Sequence, residues 1–172
     1  MANIVISEFL ARNETGLKDE DSQLSDWIEI VNTGVEVVSL DGWTLTDNLG
    51  RPRKWKFPAV DLAAGVHRLI FATGKDRRPA DGEWHSNFRL SAVGETLAVF
   101  PPESDTASHS IAAAPQFDDI SYGIDDTTGH VGYLKKVTPN EFNGSLVYPG
   151  PVISEVTHGP DPLLPGDDVV VT

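Results

Sequence analysis

The sequence predicts an all-β fold, a sandwich or barrel of short strands, and three observations carry that prediction. No stretch of about 11 residues keeps apolar groups at i, i+3, i+4 and i+7 without a Gly, Pro or β-branched interruption. Short segments rich in Ile, Val, Trp, Phe and Thr recur between turn residues, as they do in sandwiches and barrels. The 15 Gly and 12 Pro among 172 residues punctuate them.

In chain order, strands are expected over residues 4–11, 27–32, 36–40, 43–46, 53–57, 67–72, 95–100 and 120–123. Turns separate them at Thr33-Gly34, Asp41-Gly42, Asn48-Leu49-Gly50-Arg51-Pro52, Ala80-Asp81-Gly82 and Pro101-Pro102. Successive side chains in a strand alternate, so Arg53, Trp55 and Phe57 share one face and Lys54 and Lys56 the other, which sends Trp55 and Phe57 to the core. The apolar runs Trp27-Ile28-Glu29-Ile30-Val31 and Leu69-Ile70-Phe71 are continuous, as in strands covered on both sides. Residues 103–119 read as a crossover or surface loop with one short strand.

Composition narrows the function classes. The 13 basic and 26 acidic side chains give a formal charge of -13, which opposes general attraction to DNA or an anionic membrane. With no cysteine, disulfides, thiolate nucleophiles and Cys-based metal sites are excluded. No apolar run approaches the roughly 18 residues of a membrane span, and no membrane insertion is expected. Met1-Ala2-Asn3-Ile4-Val5 lacks the features of an export signal. The sequence stops on Asp168-Val169-Val170-Val171-Thr172, which reads as a cut inside a strand and so as a fragment of a longer polypeptide. Val152-Ile153-Ser154-Glu155-Val156 echoes Ile4-Val5-Ile6-Ser7-Glu8-Phe9. Residues 1–147 are therefore expected to form one sandwich, 148–151 a linker, and 152–172 the truncated start of a following β-domain.

Catalytic patterns are sparse. There is no G-x-S-x-G elbow and no phosphate-binding glycine loop. His85-Ser86 and Ser108-His109-Ser110 put neighbours on opposite faces of an extended chain, which disfavours a dyad. His67, His85, His109, His130 and His158 show no metal-ligand spacing. Lys18 to Asp26 packs four acids into a polar loop, and Asp19, Asp21 and Asp26 are the candidate calcium ligands. The loop is no EF-hand, since Leu24 and Ile30 stand where Gly and Glu would be required, and a solvated acidic loop is the competing account. Asp118-Asp119 and Asp125-Asp126 carry the same two readings. No other cofactor is implied. Basic clusters at Arg51-Pro52-Arg53-Lys54-Trp55-Lys56 and at Lys75, Arg77 and Arg78 offer a nucleic-acid surface only if Trp55 is free to stack, and alternation buries it. Nucleic acid is disfavoured as a partner.

Several segments together resemble the lamin tail domain. They are Ile6-Ser7-Glu8-Phe9, then Asp26-Trp27-Ile28-Glu29-Ile30-Val31-Asn32, Leu40-Asp41-Gly42-Trp43-Thr44-Leu45-Thr46-Asp47, Trp55-Lys56-Phe57-Pro58, Asn87-Phe88-Arg89-Leu90-Ser91, Gly94-Glu95-Thr96-Leu97, Tyr122-Gly123, and Thr138-Pro139 with Asn143. The resemblance covers about Asn3 to Gly144 and is closer to the bacterial extracellular branch than to nuclear lamins, lacking a heptad rod, a basic localisation run and a prenylation box. It implies an immunoglobulin-like β-sandwich in which Trp27, Trp43 and Trp55 fill the space between two sheets and Gly42 and Gly94 serve turns. It further implies a non-catalytic binding or structural module of a large multidomain bacterial cell-surface or secreted protein. Its partners would be neighbouring domains, or a protein or glycan. The alternative is a metal-dependent hydrolase, or an accessory domain of one, built on Asp19, Asp21, Asp26 and Glu29.

Overall fold

The computed structural model describes residues 4–112 and 115–147. The expected linker at 148–151 and the expected second module at 152–172 lie outside them. The described residues contain no helix and thirteen strands. In order these are β1 (Ile4–Leu10), β2 (Trp27–Asn32), β3 (Val38–Ser39), β4 (Thr44–Thr46), β5 (Trp55–Lys56), β6 (Asp61–Leu62), β7 (His67–Phe71), β8 (Trp84–His85), β9 (Thr96–Phe100), β10 (His109–Ala112), β11 (Tyr122–Ile124), β12 (Val131–Leu134) and β13 (Leu146–Val147).

Every expected strand overlaps an observed one, although 36–40 and 53–57 shrink to two residues each and 120–123 gives way to Tyr122–Ile124. The short strand expected within 103–119 is β10. Sequence patterning misses β6, β8, β12 and β13. The first two are two-residue pieces, and β12 carries two of its four residues, Val131 and Gly132, without the alternation that marks a half-buried strand.

Two principal sheets face each other. The larger has the order β13-β12-β11-β1-β2-β7-β8, the smaller β10-β9-β4-β5, and β3 and β6 form a separate pair. All neighbours run antiparallel except β7 and β8. Between the sheets lies a core containing Ile4, Ile6, Phe9, Ile28, Ile30, Leu45, Trp55, Ile70, Trp84, Leu97 and Val99. Phe57 packs edge-on against Trp55 and Trp84, with centroids 5.0 and 6.2 Å away. Burying side chains of this size contributes about 1.5–3 kcal/mol each.

The tryptophan expectation needs one correction. Trp43 and Trp55 fill the inter-sheet core, joined by Trp84, but Trp27 does not. Leu10, Trp27 and Phe71 are direct cross-strand neighbours on the opposite face of the large sheet, where they form a second cluster. Phe9, Ile28 and Ile70, one residue along on each strand, face the main core. The continuous apolar runs in β2 and β7 thus reflect a sheet covered on both faces.

A register shift between Ile6 and Glu8 makes Ser7 the extra residue of a bulge. Without it, Ile4, Ile6 and Phe9 would not all reach the core, since an uninterrupted strand alternates. Gly123 on β11 approaches the bulge so closely that a Cβ there would stand 2.3 Å from the Ser7 carbonyl oxygen. Gly42, at φ +79°, turns the chain against Pro102.

Candidate functional site

The acidic loop and the second basic cluster, separate features in sequence, are partners in space. Asp19 is fully enclosed at its side chain; its Oδ1 accepts from the backbone N–H of Asp21 (3.1 Å) and Gln23 (2.9 Å). Its Oδ2 accepts from Ser25 Oγ (3.0 Å) and Lys75 Nζ (2.8 Å). Lys75 also bonds Asp21 Oδ2 at 2.5 Å, and Arg77 bridges Asp21 at 2.9 Å and Glu20 at 3.0 Å. Hydrogen bonds from Lys75 and then Arg77 hold the Asp21 carboxyl down at about 2. Burial works against ionisation of Asp19, but Lys75, Gln23 and Ser25 outweigh it and its pKa is lowered.

Asp26 is not in this group. It faces the backbone N–H of Asn13 at 3.4 Å, and burial pushes its pKa up. Of the three calcium candidates, Asp19 and Asp21 meet around an ammonium group. Among the described residues no three acidic or histidine side chains are gathered for a metal ion. The other acid pairs also have local work. Asp118 pairs with Arg12, Asp119 accepts from Glu14 N, Thr15 N and Thr15 Oγ1, Asp125 Oδ1 accepts from the N–H groups of Thr127 and Thr128, and Asp126 accepts from Asn143 N.

In the first cluster, Lys54 binds Asp47 at 2.5 Å and Arg53 lies 3.6 Å from Asp105; Arg78, of the second, lies 3.3 Å from Asp76. Trp55 is buried.

The two His-Ser neighbours form no dyad. Ser86 Oγ donates to the Phe88 carbonyl, while His85 Nδ1 sits 3.1 Å from Thr73 Oγ1. Ser108 Oγ donates to the Ile4 carbonyl and His109 Nδ1 accepts the Ile6 N–H at 3.2 Å. These two contacts tie the edge of β10 to β1, and burial holds His109 in its neutral form by lowering its pKa.

The densest polar constellation lies on the outer face of the large sheet. Glu8 and Glu29 are cross-strand neighbours, and both are 0% exposed. Residues 138–143 cover them. Thr138 N donates to Glu8 Oε1 at 3.1 Å, Asn143 Nδ2 donates to the Ser7 carbonyl at 3.0 Å, and Asn140 N donates to Glu29 Oε2. Glu29 Oε1 also accepts from Ser7 Oγ and pairs with His67 Nδ1, each at 2.7 Å. The hydrogen bond to Glu29 outweighs partial burial and raises the pKa of His67.

Two acceptors share one hydrogen beside Glu8. Thr138 Oγ1 has one hydrogen and lies 3.0 Å from Glu8 Oε2 and 2.7 Å from Asn143 Oδ1. With Glu8 protonated, its O–H donates to Thr138 Oγ1, which in turn donates to Asn143, and both contacts are made. Burial, the largest influence on Glu8, raises its pKa against the hydrogen bonds from Ser121 and Thr138, which lower it.

Two neighbouring buried carboxyl groups are a pattern found in acid–base catalysis. Here, however, both are sealed under the 138–143 segment and every oxygen has a partner inside the fold. Neither carboxyl lines one of the open clefts, of about 300 Å³ beside Arg53, Lys56 and Arg78, about 370 Å³ beside Val60, His67 and Trp84, and about 250 Å³ beside Leu69, Phe71 and Asn140; the network reaches them only through His67 and Asn140. The arrangement fastens three strands to a loop. The signal for it in the sequence is the placing of Glu8 and Glu29 inside apolar strand runs, where an ionisable group needs a buried partner.

An immunoglobulin-like β-sandwich with three of its four tryptophans between the sheets and its buried Glu8, Glu29 and Asp19 partnered internally defines a class of domain. The Lamin Tail Domain family model matches residues 1–129, and the chain belongs to that family. No curated protein and no solved structure matches it. The family match ends before β12, yet Thr138 and Asn143 close the network around Glu8, so the physical domain continues beyond it.

Proposed function

We propose that this domain is a non-catalytic binding or spacer module of a large multidomain bacterial cell-surface or secreted protein. Its partners are neighbouring domains of the parent chain, or a protein or glycan met by its loops and edges. The observation that carries the reading is that the groups with chemical potential are consumed in holding the fold: Glu8 and Glu29 under the 138–143 segment, Asp19 and Asp21 around Lys75 and Arg77. Membership of a family whose domains are generally non-catalytic modules supports it. The extracellular setting rests on the family resemblance.

The test is a turnover screen of the purified chain against phosphodiester, glycoside and ester substrates, with calcium and with chelator. The expected result is no turnover in either condition. Metal-dependent turnover lost in Asp26→Ala would replace this reading with the hydrolase alternative.

A further inference from the structure

The chain carries 26 acidic side chains against 13 basic ones, so a cation has ample opportunity to meet a carboxylate. Lys54, Lys75 and Arg77 take it, in ion pairs of 2.5–3.0 Å. Three cations gathered around one cleft do so loosely or not at all. Arg53 stands 3.6 Å from Asp105, whose side chain is almost wholly in solvent, and Arg78 stands 3.3 Å from Asp76. Lys56 is exposed, and among the described residues its ammonium pairs with no carboxylate.

The cleft is built on the outer face of the smaller sheet. Thr44 on β4 and Lys56 on β5 are cross-strand partners, and alternation turns both away from the core that Leu45 and Trp55 fill. Beside them Arg53, Arg78 and Asn87 line a space of about 300 Å³, and a second space of about 550 Å³ shares Gly42, Arg53 and Lys56 with it. Asn87 Nδ2 is spent on the Lys54 carbonyl at 2.7 Å and the Thr44 hydroxyl hydrogen on the Pro52 carbonyl at 3.0 Å, which leaves an acceptor oxygen on each.

We propose that these two adjoining clefts bind an acidic oligosaccharide, a sugar chain with carboxylates spaced along it. The carboxylates meet Arg53, Lys56 and Arg78, and guanidinium groups match a carboxylate with two parallel hydrogen bonds. The sugar hydroxyls meet the acceptor oxygens of Thr44 and Asn87. The inference deepens the binding role proposed above and rests on it.

Acids interleaved with the cations choose between anionic chains. Asp76 lines the first cleft, and Asp41 and Glu103 line the second. A phosphodiester backbone carries a charge at every step and meets these acids, and the formal charge of -13, as repulsion. A sugar chain brings hydroxyls, which donate to a carboxylate. Trp55 is buried, so no base can stack on it. An extended acidic peptide would need free backbone groups on β5, and there the carbonyls of Lys54 and Lys56 are already taken by Asn87 Nδ2 and an Arg78 guanidinium N–H.

The test is a titration of tetragalacturonate into the isotope-labelled 172-residue chain at low salt, following amide shifts by NMR, with maltotetraose as the neutral control and a tetra-aspartate peptide and an oligothymidylate as rival anions. The expected result is saturable shifts at Gly42, Arg53, Lys56 and Arg78 that weaken with added salt and are absent with maltotetraose. The double variant Arg53→Gln, Lys56→Gln is expected to bind about tenfold or more weakly, through loss of hydrogen bonds to charged groups. Both side chains are exposed, so the variant is expected to keep the parent's melting temperature. Absent shifts, equal affinity in the double variant, or tighter binding of the aspartate peptide or the oligothymidylate at these residues would overturn the proposal. The two readings fail separately: absent binding together with no turnover in the screen removes the acidic sugar and leaves the module non-catalytic.

Discussion

At the scale of single residues, Glu8 is where buried polar chemistry is most tightly specified. Its oxygens face Thr138 N and Oγ1, and the single hydroxyl hydrogen of Thr138 is committed to Asn143. A protonated Glu8 satisfies all of these groups at once. Burial raises its folded pKa above 4.5, so its favourable contribution is full below the unfolded value and is lost as pH rises through the folded one. A glutamine reproduces the protonated acid in shape and in hydrogen bonding, with an N–H for Thr138 Oγ1 and a carbonyl for Thr138 N. Glu8→Gln is therefore expected to match or exceed the parent in denaturant midpoint at neutral pH, with the difference shrinking toward pH 4. Thr138→Val removes the hydroxyl shared by Asn143 Oδ1 and Glu8 Oε2 and is expected to cost about 1–3 kcal/mol in the same measurement. The identity of these residues was visible in the sequence, as Ile6-Ser7-Glu8-Phe9 and Thr138-Pro139. Their contact was not, because it spans 130 positions and has no periodic signature.

Among elements, the acidic loop and the basic segment after β7 explain each other. Local reading found both, as a calcium candidate and a nucleic-acid candidate, but charge pairing across more than 50 positions is invisible to spacing. Asp19 is enclosed and Lys75 supplies its counter-charge. Lys75→Ala is expected to destabilise the chain, by about 1–3 kcal/mol, chiefly through the buried Asp19 left behind. The same substitution removes the competing ammonium, so a calcium titration of Lys75→Ala beside the parent tests Asp19 and Asp21 as ligands; an unchanged melting temperature in both removes the ion from the account. Strand existence, by contrast, was legible wherever apolar runs were bounded by turns. The two-residue strands β6, β8 and β13 were not, since their assignment depends on a neighbouring strand's backbone and not on their own pattern. The β10 to β1 tie adds a pH signature. His109 accepts a backbone N–H in its neutral form and its pKa is lowered by burial. Its contribution is present above about pH 6.5 and is lost as pH falls through the lowered value. His85, also lowered by burial, acts in the same direction. His67, raised by Glu29, acts in the opposite one, its contribution being full below about pH 6.5 and lost at higher pH. Replacing His109 by Gln, which keeps an acceptor, is expected to flatten the acid-side fall in stability between about pH 6.5 and 5.

Over the whole molecule, short apolar runs between turn residues made an all-β sandwich or barrel legible, and the family resemblance selected the sandwich. Cover on both faces of β2 and β7 was legible in their continuous apolar runs, but what fills the second face was not, and Trp27 went to it together with Glu8 and Glu29. That face is closed by residues 138–143, so a chain ending at residue 129 is expected to lose cooperative unfolding that a chain ending at 147 retains. Glu29 is the point where the layers meet: it receives Ser7 from β1, His67 from β7 and Asn140 from the covering segment. The most direct measurement is the equilibrium unfolding of Glu29→Ala beside the parent at neutral pH. If the buried acids exist to hold the fold, the variant loses about 3 kcal/mol, the scale expected when one partner of an enclosed pair is removed. Unchanged stability would contradict that account and show that Glu29 is kept for something other than structure.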